Sequence, residues 1–136
     1  MINYYVGASA EKNKDGDSVC GYCIMRVEDG KDEKLIKTGH REAKYNGIEM
    51  QTIAFHIALA GIDDKEDAVI YTCCKPLEGA INSGWKHDYL PDIWGKIFEL
   101  LKKKTVEVMF LSKNDNANMM VVSDKAKDET LNYVKV

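Results

Sequence analysis

No stretch of this sequence approaches the ~20 consecutive apolar residues that a membrane-spanning helix needs, which argues against a membrane protein. Its first residues also lack a basic stretch followed by an apolar run. No secretory leader is therefore expected, and the cytoplasm is the expected compartment. Positive charge is not in excess, since 19 Lys and Arg against 22 Asp and Glu leave a formal charge of −3. Proteins that grip nucleic acid without sequence preference are usually basic, because phosphate neutralisation drives their binding. That leaves room for a local basic patch only. Internal repeats, low-complexity tracts and linkers are missing too. The 136 residues, 45 % hydrophobic and 30 % charged, read as one domain over 1–136 with material for a core.

Four cysteines are present, Cys20 and Cys23 as a CxxC and Cys73-Cys74 as an adjacent pair. A zinc site would need a second spaced pair, and a redox CxxC usually opens a helix whose dipole lowers the thiol pKa. Gly21–Met25 reads as strand, and so do Tyr71 and Thr72. Buried, reduced and chemically quiet thiols are the expectation.

The organising stretch is Tyr45–Ile62. Met50, Ile53, Ala54, Ile57, Ala58 and Gly61 recur at helical spacing, and Phe55 and Leu59 lie opposite. A helix apolar almost all round is buried between layers. Asn46-Gly47 starts it and Gly61 stops it. Glu49, in its first turn, either complements the helix dipole or stands as a carboxylate at the mouth of a site.

Around this helix the chain reads in order. Ile2–Val6 is a strand ended by Gly7-Ala8-Ser9, and Glu11–Asp17 is a polar turn. Val19–Val27 and Lys34–Arg41 are strands joined by the Glu28–Lys31 turn, the latter with the polarity of a sheet edge. After the helix, Ala68–Thr72 has the continuous apolar run of a strand covered on both faces. Pro76 opens a short helix over Leu77–Ile81, and Pro91-Asp92 opens another closed by Lys102-Lys103-Lys104. Val106–Leu111 is a fifth strand, Ser112–Asn118 a polar loop and Met119–Asn132 a last helix. Three antiparallel strands followed by helical crossovers imply an α/β fold, a five-stranded mixed sheet with helices on both faces.

Five local patterns in this order resemble the ribonuclease H family. Tyr5–Ser9 resembles a first-strand motif in which an aspartate precedes glycine and serine. Gly21-Tyr22 resembles the opening of the second strand, and Asn46-Gly47-Ile48-Glu49-Met50 the asparagine–x–x–glutamate start of the central helix. Tyr71–Cys74 resembles the end of the fourth strand, where the family has threonine–aspartate–serine. Ser123–Ala126 resembles the aspartate-bearing start of the last helix. Together they span nearly the whole chain.

The resemblance implies cleavage of RNA in RNA–DNA hybrids by two divalent ions ~4 Å apart, held by four carboxylates. In this chain Gly7 occupies the position of the bridging carboxylate and Cys73, a soft ligand, that of the fourth-strand one. Glu49 and Asp124 are then the retained catalytic carboxylates. They would hold at most a single Mg²⁺ or Mn²⁺ weakly, and no cofactor is required. Asn114 stands where the family has a mobile histidine, and Trp85–Leu90 replaces a basic protrusion. Asp15, Asp17 and Asp115 are candidates to substitute for a missing ligand. Cys20, together with Gly7, Cys73 and Cys74, is expected at the same end of the sheet.

The reading is thus a ribonuclease H-like module that has lost two-metal cleavage and binds nucleic acid or a protein. Asn46, Lys75, Lys86, Lys113 and Asn114 lie in segments that face the hybrid in the family, and suit phosphate and sugar contacts. For a protein partner, the third strand offers an edge, and Trp85, Tyr89 and Trp94 are interface-type aromatics unless they are core. The alternatives are an active hybrid-cleaving enzyme with a rearranged metal site, and a cysteine-based metal or redox site.

Overall fold

Asn46 explains where the central helix begins. In the computed structural model, which describes residues 1–134, its Oδ1 accepts from the Glu49 N–H at 2.8 Å. The Glu49 carboxylate in turn accepts from the Asn46 N–H at 3.0 Å, a reciprocal cap. This helix, α1 (Gly47–Ala60), buries Met50, Thr52, Ile53, Ala54, Phe55, Ala58 and Leu59, so it is enclosed as its sequence requires. The last two residues of the expected 1–136 domain lie outside the described residues.

The strands are β1 (Ile2–Lys12), β2 (Ser18–Glu28), β3 (Lys34–Arg41), β4 (Ala68–Thr72) and β5 (Val106–Phe110). They form one sheet in the order β3-β2-β1-β4-β5. β2 runs antiparallel to both β1 and β3, while β4 is parallel to β1 and β5 to β4. The remaining helices are α2 (Lys75–Asn82), α3 (Pro91–Lys103) and α4 (Ala117–Leu131), preceded by a 3₁₀ turn at Lys113–Asp115.

Side-chain alternation along β1 sorts the two faces. Tyr4 and Val6 join Ile24, Phe55, Leu59, Ile70, Leu77, Trp94 and Ile97 in the core beneath α1, α2 and α3. Tyr5 packs with Cys23, Met25, Met119, Val122 and Ala126 beneath α4, the one helix on that face among the described residues. Trp94 is therefore core, and Tyr89 is tied to Thr52 by a hydroxyl contact of 2.9 Å. Only Trp85 of the three aromatics is exposed.

β1 is longer than its sequence suggests. It passes straight through Gly7 and ends at Lys12, because Gly7 is not a terminator but a contact point. A Cβ there would lie 2.5 Å from the Val122 carbonyl oxygen and 2.8 Å from the Ser123 nitrogen, so only glycine lets α4 approach this closely. At the start of α4, Asn116 caps the helix by accepting from the Met119 N–H at 3.0 Å.

Candidate functional site

The C-terminal ends of the parallel pair β1 and β4 are where an open α/β sheet offers a crevice. Val6 pairs with Thr72, so Cys73 follows on beside Gly7. From above, the Gln51 amide of α1 reaches both strands. Its Nε2 lies 3.4 Å from the Ala8 carbonyl and 3.6 Å from Cys73 Sγ. Gln51 Oε1 is buried without a protein partner, and so is Ser123 Oγ on the α4 side of β1. Buried polar atoms are normally satisfied, and the third unpartnered one among the described residues is Trp94 Nε1 in the core.

The sequence pattern pointed to Glu49 and missed Gln51. Glu49 is engaged in the cap with Asn46. Gln51 lies 200° further round the helix at 100° per residue, and it is the residue that touches Cys73. The signal was present as a lone amide in a run of apolar residues. Asp124 is exposed, and it too stands 200° round α4 from the buried Val122. Asp15 and Asp17 are exposed in the β1–β2 turn, where their N–H groups donate to Asn13 Oδ1, and Asp115 is exposed in the 3₁₀ turn.

The cysteines need one correction. Cys23, not Cys20, pairs with Gly7, while Cys20 pairs with Ala10 three residues on. Cys20 joins Met50 and Ile53 on the α1 face, and its thiol donates to the Ala43 carbonyl at 3.2 Å. Cys73 packs against the cluster that contains Cys23. All four thiols are free. Burial pushes Cys23 up to about 11 and raises Cys74 as well. Thiol alkylation at pH 8 should therefore modify Cys73 first, with Cys20, Cys23 and Cys74 following only as the fold opens. Peptide mass mapping over time checks this; Cys23 reacting as fast as Cys73 would contradict it.

LC11-RNase H1, solved in complex with an RNA/DNA hybrid, matches with a TM-score of 0.73 and 14 % identity, over 95 % of this chain and 98 % of its own. RNase H1 from the halophilic archaeon Halobacterium salinarum NRC-1 matches at 0.68 and 16 %, over 94 % and 98 %. This chain has the ribonuclease H fold. Prototype foamy virus protease-reverse transcriptase is also similar, at 0.75 and 15 %, but 99 % of this chain covers only 21 % of that one. No protein-family model and no curated protein matches the sequence.

On this ribonuclease H fold, the residues at the strand ends do not fit a pair of divalent ions. A pair of hard divalent cations is held chiefly by anionic oxygens, whereas the groups gathered here, an amide, a thiol and a backbone carbonyl, carry no charge. Gly7 has α4 backbone where a carboxylate would have to stand. Among the described residues, no group of three or more His, Cys, Asp or Glu side chains is arranged to hold a metal ion. No described helix is long and apolar enough to cross a membrane.

The expected nucleic-acid contacts fall into two groups. Lys75 draws three segments together: its Nζ lies 5.8 Å from the Trp85 ring centroid, 5.3 Å from that of Phe110, and 2.6 Å from Glu78 Oε1. Lys86 follows Trp85 and is 3.2 Å from Asp88. Lys113 and Asn114 are exposed in the turn that follows β5. Asn46 stands apart at the start of α1, with its side chain occupied by the cap. Trp85 is held by Gly79, where a Cβ would come within 2.1 Å of the indole.

Proposed function

We propose that this chain is a ribonuclease H-fold module that binds nucleic acid without cleaving it. The observation that carries the reading is the uncharged set at the strand ends, Gln51 against Cys73 and the Ala8 carbonyl. Two-metal hydrolysis needs anionic oxygens that clamp both the attacking and the leaving oxygen. An amide and a thiol offer no such clamp, and Glu49 and Asp124 are the carboxylates left over. Any single Mg²⁺ or Mn²⁺ held by those two is weak, and binding does not depend on it.

Support for a nucleic-acid ligand comes from the rim rather than from net charge. Lys75 and Lys113 supply phosphate contacts, and the exposed Trp85 and Phe110 rings, over which Lys75 now lies, are of the kind on which bases stack once Lys75 turns to phosphate. LC11-RNase H1, of the same fold, was solved with an RNA/DNA hybrid. Stacking on one aromatic ring contributes roughly 1–3 kcal/mol per base. Trp85→Ala should therefore weaken binding to a labelled RNA–DNA hybrid by on the order of tenfold, read by fluorescence polarisation. Asp124→Asn should leave binding unchanged. In parallel, the hybrid incubated with Mg²⁺ or Mn²⁺ stays intact. Cleavage that vanishes in Asp124→Asn would overturn the non-catalytic reading; unchanged affinity in Trp85→Ala would overturn the placement of the ligand.

A further inference from the structure

β3 is an open edge of the sheet, with β2 its only paired neighbour among the described residues. Native proteins usually blunt such an edge with short strands, bulges, proline or a covering segment. β3 runs for eight residues with no proline, and seven of the eight are exposed. Leu35 and Ile36 are 51 % and 46 % exposed, which is unusual for adjacent aliphatic residues on a free edge.

A cavity of about 370 Å³ lies against the same strand on the α1 face. Its apolar wall includes Ile24, Leu35, Ile57 and Ala58. Arg26, Glu66 and Tyr4, also in its lining, neutralise one another. Arg26 Nε donates to the Tyr4 hydroxyl at 3.2 Å, Tyr4 donates to Glu66, and the Arg26–Glu66 ion pair is 3.7 Å. Lys37 lines the cavity with no ion-pair partner among the described residues, and Asp63 is the remaining acid.

Charge along the edge is of one sign. Between positions 34 and 41 the ionisable residues are Lys34, Lys37, His40 and Arg41, in a chain whose net charge is −3. Of these, Lys34 bonds to the neutral Asn118 side chain and His40 to Glu129. A second copy of this chain would bring the same four basic residues to the new ladder, which is unfavourable wherever they face one another. We infer that β3 takes an added strand from a different protein, an extended segment that alternates acidic and aliphatic residues. Its backbone extends the sheet, its acids lie on the α1 face against Lys37 and Arg41, and its aliphatic side chains fall on the α4 face beside Ile36.

The test uses the full chain labelled with ¹⁵N and two synthetic seven-residue peptides, one alternating glutamate with leucine and one alternating lysine with leucine. The expected result is at least tenfold tighter binding of the acidic peptide, with amide shifts confined to 34–41 and the cavity wall. The exposed double substitution Lys37→Glu/Arg41→Glu should reverse the preference while the rest of the spectrum keeps its dispersion. The inference is overturned by equal affinities, by no binding, or by shifts elsewhere. It also falls if the chain self-associates through these amides, or if an RNA–DNA hybrid displaces the peptide from them.

Discussion

Gly7→Ala will lower the unfolding free energy by about 3 kcal/mol, a large share of the ~5–15 kcal/mol that holds a domain of this size together. The added methyl would sit 2.5 Å from the Val122 oxygen, 2.6 Å from its carbonyl carbon and 2.8 Å from the Ser123 nitrogen. All three are backbone atoms of α4, so no side chain can swing aside and the helix itself must move. Gly47→Ala is the control. Its Cβ meets nothing within 4 Å, at the first position of α1, and the change should be neutral or stabilising by up to about 1 kcal/mol. Urea unfolding of the two variants decides the matter, and equal midpoints would show that α4 does not press on β1. Gly7→Asp should unfold more easily still. Restoring an acid at that position therefore cannot restore a metal site.

The second large effect is a gain. In Gln51→Glu/Cys73→Asp, two carboxylates would replace the amide and the thiol that now lie 3.6 Å apart. Without metal, two acids at that separation repel and one is kept protonated, so the variant should melt below the parent protein. With divalent ion the order should change. For a dissociation constant on the order of 1 mM, 10 mM Mn²⁺ stabilises by about 1.4 kcal/mol, a shift of several degrees in melting temperature. The parent protein should show no comparable shift. Thermal melts with and without Mn²⁺, with Glu49→Gln as a third arm, separate the possibilities. A Mn²⁺ response in the parent that disappears in Glu49→Gln would mean that Glu49, and not Gln51, is the residue of α1 that faces the ion.

Much of the fold was legible because turn chemistry brackets its elements. Lys34–Arg41 and Ala68–Thr72 have the limits their flanking residues announce, and Pro91 marks the start of α3. The enclosed α1 follows from its all-round apolarity. What the sequence could not give was rotation and register. Glu49 and Gln51 differ by 200° about one helix axis, and only the docking of α1 on the sheet decides which of them meets Cys73. Asp124 is the same case on α4, where the burial of Met119, Val122 and Ala126 leaves it facing away. Register between β1 and β2 is fixed by the Asn13–Asp17 turn, closed by an Asn13 N–H to Asp17 carbonyl bond of 2.9 Å. A turn of that length brings Cys23 to Gly7 and carries Cys20 past it. Gly7 looks like an ending in the sequence because its reason lies in a helix more than a hundred residues away.

The arrangement of three helices on one face and one on the other has a consequence for how the polypeptide is made. α4 leaves the ribosome after every strand it covers, so the nascent sheet carries Tyr5, Cys23, Met25 and Tyr71 uncovered until α4 itself has emerged. Until the Met119–Thr130 segment arrives, that greasy surface is available to holdase chaperones and to proteolytic quality control. A frameshift or stop codon anywhere before Ala117 would thus yield a product marked for removal rather than a shortened but competent protein.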